Sequence, residues 1–435
     1  LKRPSSYRSA RNGKRVCRKF RRSVYNVQFD WFMDPITHGL TGALLGKAFF
    51  TEVEASFNSP SCTEDSDGGR KSALTSSSRV AVVATTLGAL FPDTDSLYGV
   101  FDRSGLAVIS THRAETHSIV CLPLFALLLA AGTLGYCRWR GIRRPSFFRL
   151  FVLWSVGIAS HIFLDLITSF GTMIFAPVNY TRYQWDWVFI VDATFTSLVL
   201  VPQMVAWIFR RREGSLRRAA LGWLLLTLAL VALRRWALAS QVEFSAWAIV
   251  VAGMIFALAF FAPAANGIGF RISQRAWCRG GVALLLAYFG LCALAHRASL
   301  ARVQSFAGEN GIAVQHLAAQ PMPPSALRWL GLIRARDGIY QASFRVASQP
   351  PQFVFVADAP PNEFIAAARG LPEVKTYFAF ARFPLTRYRV EGGWHIVEFS
   401  DLRFGGRRSD RAVPFTYRVM LDADRRVLTQ GWLVD

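Results

Sequence analysis

"STHRAETHSIVCLPLFALLLAAGTLGYC", residues 110–137, joins two very different kinds of sequence. Its first nine residues hold two histidines, an arginine, a glutamate and four hydroxyl side chains. The next nineteen carry no charge, and as a helix rising 1.5 Å per residue they cross roughly 30 Å of hydrocarbon. Reactive, ionisable chemistry therefore stands at the edge of a membrane-spanning segment.

The composition agrees with a membrane span. Of 435 residues, 52% are hydrophobic and only 18% charged, against about 25% charged in a soluble domain. Apolar windows fall near 80–91 (short), 118–137, 150–170, 187–209, 219–233, 244–263 and 280–295, with a weaker one at 36–50. The expected fold is a polytopic α-helical membrane protein with a C-terminal soluble α+β domain.

A net charge of +22 suggests nucleic acid until its distribution is read. Residues 1–32 supply +9 of it, and the texture changes at Met33. Translation is expected to start at Met33, with 1–32 an upstream extension; the alternative is a basic arm on anionic headgroups. The other clusters, "RWRGIRR" (138–144), "RRREGSLRR" (210–218) and Arg271, Arg275 and Arg279, lie between spans, where the positive-inside rule assigns them to the cytoplasm. The path that follows puts "THRAETHS" and the C-terminus outside, with Arg234 and Arg235 as an exception. The expected partner is the lipid bilayer, not nucleic acid.

Beyond residue 296, "GIYQASFRVAS", "TYFAFARF", "YRVEGGWHIVEFSDLRF" and "VPFTYRVML" alternate with period two, broken by turns such as "EGG" and "DADRR". They predict one antiparallel sheet of about six strands with one or two helices, on the extracytoplasmic side. His316 and His395 lie there without partners at metal spacing and read as structural or surface residues. The six cysteines form no CxxC pair, which excludes a zinc finger or disulfide framework. Residues 51–79 read as a polar loop. The domains are thus 1–32 (extension), 33–210 (membrane-embedded, carrying the chemistry), 211–298 (additional spans) and 299–435 (α+β).

The chemistry lies in the first 200 residues: His38, Asp93 and Asp95, His112, Arg113 and His117, His161 and Asp165, then Asp186 and Asp192. On the expected topology they converge on one leaflet. His161 and Asp165, four apart, share a helical face. His112 and His117, five apart, converge only if their segment is a loop. Each signal alone has a plain explanation: His38 as a packed polar residue, "PDTD" as a turn, His161/Asp165 as a hydrogen-bonded couple. Together they are costly to insert, at about 2.5–3.5 kcal/mol for each charged group, and point to function. Asp186 in "QWDW" also reads as a solvated acid in an aromatic belt, and Glu115 is left out of the ligand set. Imidazole and carboxylate without thiolate suit Zn²⁺, with Mn²⁺ and Fe²⁺ as competitors, at one or two positions. Arg113 would neutralise a phosphoryl oxygen, and Asp192 would orient a ligating imidazole.

"THGLTG", "PDTDS", "HRAETHS" and "SHIFLDLITSFGT", in this order and followed by Pro177 and "WDWVFIVDATF", resemble the bacterial inner-membrane family of metal-dependent hydrolases related to the LexA-regulated protein YdjM. The resemblance covers roughly 33–200. It implies a membrane-embedded metal site with His38, Asp93, Asp95, His112, His117, His161 and Asp165 at matching positions. The family's likeness to zinc phospholipase C favours phosphoester chemistry.

The expected function is hydrolysis of a phosphate ester in a lipid or lipid-linked substrate by metal-activated water, in a multi-pass protein of the bacterial inner membrane. Two rivals remain. A transporter or channel would use the same residues as an ion or proton relay, with groups near the midplane and paired broken helices. A non-catalytic scaffold would make the histidines dispensable.

Overall fold

The computed structural model describes residues 34–51, 67–98, 102, 105–141, 145–239, 245–348, 350–405 and 413–433. The extension 1–32, Cys17 and Cys62 lie outside them. The chain forms α1 (Asp34–Leu45), α2 (Asp67–Leu90), α3 (Leu122–Trp139), α4 (Phe147–Leu166), α5 (Ala193–Ile208), α6 (Ser215–Ala239), α7 (Ala246–Ala265) and α8 (Gln274–Glu309). Five of these, α3, α4, α6, α7 and α8, are long and apolar enough to cross a membrane. Residues 78–90 and 193–208 form shorter apolar helices. Part of the segment expected to be a loop, 67–79, is helical.

The helices are apolar on the outside and small-residued inside. Leu124, Leu127 and Leu128 of α3, Leu224 and Leu228 of α6 and Leu284, Leu291 and Leu294 of α8 are exposed. Ala81 and Ala84 of α2 and Ala126 and Ala130 of α3 are buried against Leu150, Leu153 and Trp154 of α4. In water such an exterior would aggregate; in hydrocarbon it is the required surface. A second core joins Leu44, Leu164, Val199, Leu285 and Phe289 from α1, α4, α5 and α8.

Helix ends are set by local chemistry. Pro92 follows α2 and opens a 3₁₀ turn, Pro92–Leu97. Ser146, Asp192 and Ser273 accept backbone N–H bonds at the starts of α4, α5 and α8. At the other end of the bundle, α1 runs into a π-helical turn, Gly46–Phe50. Arg149 donates to the Phe50 carbonyl, Arg275 to those of Ala48 and Phe49, and Arg279 to Ala48. The arginines opposite the histidine end thus satisfy a helix C-terminus and its dipole.

Among its described residues, the C-terminal region forms eight strands and two α-helices. Strands β1 (His316–Met322), β2 (Arg328–Arg334), β3 (Gly338–Arg345) and β4 (Val354–Ala357) form one antiparallel meander. After α9 (Glu363–Gly370) and α10 (Pro372–Phe380), β5 (Pro384–Glu391), β6 (Trp394–Asp401), β7 (Tyr417–Leu421) and β8 (Val427–Trp432) form a second. The single six-strand sheet is therefore corrected to two sheets of four. The first was hard to see because both faces are buried, which erases the period-two signal. Ala319, Trp329 and Ile333 pack on Val303 and Ala307 of α8, while Ala318, Leu330 and Leu332 pack on Phe383, Leu385 and Leu402. Helix α8 also continues through the expected boundary at 299 and carries the first sheet. The marked "EGG" turn is present: Gly392 and Gly393, at φ 60° and 83°, close the β5–β6 hairpin where Glu391 pairs with Trp394.

Candidate metal centre

His38 is the fifth residue of α1, Asp93 and Asp95 stand in the 3₁₀ turn after α2, and His161 and Asp165 lie in the last turns of α4. His112 and His117 come from the irregular segment before α3, where Arg113 takes φ 65° and a short 3₁₀ turn, Glu115–His117, turns the second ring inward. One end of the bundle therefore gathers side chains separated by more than a hundred residues.

Among the described residues, two groups of donors each have their ligand atoms within 4.8 Å of one another: His38, His161 and Asp165, and Asp93, His117 and His161. The Nε2 atoms of His117 and His161 are 3.0 Å apart. His117 Nε2 lies 3.7 Å from Asp93 Oδ1 and 3.1 Å from Asp165 Oδ2; His161 Nε2 lies 3.5 and 3.4 Å from the same atoms. Donors around zinc at 2.0–2.1 Å stand about 3.3 Å apart, so this donor set fits such an ion. His38 stacks on His161 at 3.9 Å, with Nε2 3.4 Å from Asp165 Oδ1.

The surroundings orient these rings. His161 Nδ1 meets the Ala89 carbonyl at 2.7 Å, which leaves Nε2 facing the cluster. Asp95 stands behind two histidines: Oδ1 is 2.7 Å from His112 Nδ1, and Oδ2 is 3.2 Å from His117 Nδ1. Oδ2 also accepts from the Arg113 amide and Thr116 Oγ1. A carboxylate on the far nitrogen of an imidazole fixes its tautomer and raises its basicity. Asp95 and His112, expected among the ligands, belong to neither close donor group and flank it instead. Arg113 Nη2 pairs with Asp165 Oδ1 at 2.9 Å and Nη1 donates to Thr168 Oγ1.

Electrostatically the cluster is built for positive charge. Burial alone would raise the Asp93 and Asp95 pKa values, yet the adjoining histidines hold both well below the usual carboxylate range. Burial would neutralise His117, but Asp165, Asp93 and Asp95 hold its pKa well above the ordinary value. His112 goes the other way, because burial outweighs Asp95. The Oδ2 atom of Asp93 is buried without a hydrogen-bond partner among the described residues, as an atom meant for a cation would be.

Residues 33–239 match the model of the family described as YdjM inner membrane protein. Over these residues, a little under half of its length, the chain is similar to that family. Every candidate ligand lies inside the match, which ends with α6. No curated protein and no solved structure matches the chain.

Within the YdjM-family segment one expected role is corrected. Asp192 does not orient an imidazole: its carboxylate caps α5 through the Thr194 and Phe195 amides and accepts from Tyr288 and from Ser325, which tie α8 and the β1–β2 turn to the bundle. Asp186 pairs with Arg382 of the C-terminal region at 2.6 Å. Glu115, left out of the ligand set, is exposed and accepts from Tyr180. His395 stacks on Phe364 and His316 accepts from Arg382, structural contacts in both cases. Sequence reading missed the backbone carbonyl of Ala89 and the hydroxyls of Thr116 and Thr168; Thr116 and Thr168 each stand within three residues of a ligand candidate, which was the available signal.

Proposed function

We propose that this protein is a multi-pass, metal-dependent hydrolase that cleaves a phosphate ester in a lipid or lipid-linked substrate. The observation that carries the reading is the meeting of His117 and His161 Nε2 at 3.0 Å between the Asp93 and Asp165 carboxylates. Asp93, His117, His161 and Asp165, with His38 beside them, would hold the metal. When bound, such an ion lowers the pKa of water and polarises a phosphoryl oxygen. Asp95 keeps the imidazoles in the ligating tautomer, and Arg113 holds Asp165 with its guanidinium close to where phosphoryl charge would develop.

Access supports a lipidic substrate. Asp93 is the candidate ligand with open surface, 19% of its side chain against 2% or less for His38, His117, His161 and Asp165. Leu97 and Tyr98, following it, and Ile119 and Val120, following His117, are exposed apolar residues at the helix ends. A relay across the membrane would place its ionisable groups at mid-depth; this cluster sits at the ends of α1, α2 and α4.

The test is metal analysis of detergent-purified protein alongside hydrolysis of phosphate-ester lipids. About one or two divalent ions per chain are expected. Both metal and activity should disappear in a His117→Ala/His161→Ala variant. Unchanged metal content in that variant overturns the reading.

A further inference from the structure

Outside the metal centre, the C-terminal region and the YdjM-family segment enclose an open cavity of about 600 Å³. Ser110 and Arg182 line one side, and Thr376, Ala379, Arg382 and Arg403 the other. Its lining holds three arginines and no Asp or Glu.

These cations are not equally compensated. Arg382 pairs with Asp186 and Arg403 with Asp401, both acids lying behind the lining. Arg182 donates to the carbonyl oxygens of Gly171, Ile109 and His112 at 2.9–3.1 Å and has no carboxylate partner among the described residues. Burial, Arg113 and Arg403 together press its pKa down to about 9. Two acids lie outside the lining: Asp95, whose charge acts against that lowering, and Glu115, which accepts from Tyr180 of the lining. Three guanidiniums thus line, with no carboxylate in the lining, a space of ordinary ligand size. Guanidinium forks and hydroxyls from Ser110, Thr181 and Thr376 are the groups that recognise phosphate oxygens.

We infer that this cavity binds the phosphate of a headgroup-sized phosphate ester, held jointly by the YdjM-family segment and the C-terminal region. A lipid headgroup and a soluble phosphate ester share that chemistry. Ala379 offers a clean test, since it is an exposed residue of α10 that lines the cavity.

Calorimetric titrations of the full chain in detergent would use inorganic phosphate, glycerol phosphate and short-chain phosphatidic acid. Chelator treatment beforehand keeps phosphate held by a metal from being counted. Saturable binding is expected, weakened at least about tenfold by Ala379→Glu, which sets a like charge beside the anion. Ala379→Gln should stay within about twofold. Thr376→Glu supplies the same charge from a second position should the first variant fold poorly. Tighter binding of phosphatidic acid than of glycerol phosphate assigns the site to a lipid headgroup, and equal binding to a soluble ester. Absence of binding by all three, or affinity indifferent to both glutamates, overturns the inference. Because no turnover is measured, the outcome is separate from that of the hydrolase proposal.

Discussion

At the scale of single residues, Asp95 and Arg113 separate holding a metal from using it. Asp95 touches His112 and His117 through their Nδ1 atoms and accepts from the Arg113 amide and Thr116. Asp95→Asn should leave the ligand atoms in place and weaken metal binding by about 10–100-fold, measured against a competing chelator. His161→Ala should abolish binding in the same assay. Arg113 is 2% exposed and pairs with Asp165. Arg113→Ala should retain metal, since a bound cation replaces the guanidinium as counter-charge, yet lose hydrolysis. Arg113→Lys should recover little, because an ammonium lacks the planar fork. Metal lost together with the guanidinium would instead make holding Asp165 its main task.

Among elements, the candidate metal centre depends on how closely α1, α2 and α4 approach. A Cβ on Gly42 of α1 would fall 2.4 Å from the Thr85 carbonyl of α2, and one on Gly157 of α4 would fall 2.6 Å from the same oxygen. Such contacts are the membrane mode of packing through small residues. They bring the Ala89 carbonyl, one turn further along α2, to His161, one turn further along α4. Gly157→Val should cost about 1–3 kcal/mol by overpacking and should lower metal content. Gly132→Ala, with nothing within 4 Å of its Cβ, should leave both unchanged. Thermal melting and metal analysis on one preparation check the pair. In the second sheet, Glu398 of β6 lies between Arg389 and Arg418 at 2.8 and 2.7 Å. Burial alone would raise its pKa, but the two arginines hold it below the ordinary 4.5. A depressed folded pKa contributes stability that is complete above that ordinary value and is lost as pH falls through the folded one. Wild-type protein should therefore lose more thermal stability than Glu398→Gln on acidification below about pH 4.5; parallel slopes would remove the ion pairs from that account.

For the whole molecule, the His/Asp cluster and C-terminal region share one end, and the arginine-rich turns occupy the other. The ends are joined by α8, whose last turns carry the first sheet, while Arg403 donates to the Ser169 and Phe170 carbonyls and Trp432 to that of Gly105. We expect Ser110→Cys and Thr429→Cys, in a background without native cysteines, to be labelled from the extracytoplasmic side, and Arg212→Cys from the cytoplasm. Labelling of Ser110 and Thr429 from opposite sides would break the arrangement; both from the cytoplasm would invert it. Docking also places Leu106, Ile109 and Phe170 in the core of the second sheet. Nothing in the period or charge of those segments announces that contact, and Phe170 reads as the end of the apolar window 150–170.

Local properties of the chain determined which segments are helical and apolar, which loops are basic and which residues carry imidazole and carboxylate donors. Span length, charge and donor type are written residue by residue and survive without knowledge of the fold. The triad of ordered motifs around His38, Asp93 and His161 was legible for that reason. Which donors meet was decided only in three dimensions. His161 is carried into place by glycine-mediated contacts of α4 with α2, the short turn Glu115–His117 brings His117 to within 3.0 Å of it, and Asp95 is set behind His112 and His117 because its turn faces their Nδ1 atoms. Asp192 looked like part of the same set but was drawn to the start of α5, where unsatisfied amides and the hydroxyls of Tyr288 and Ser325 compete for its oxygens. A carboxylate's type is a property of the sequence; its partner depends on which donors the packing brings within reach.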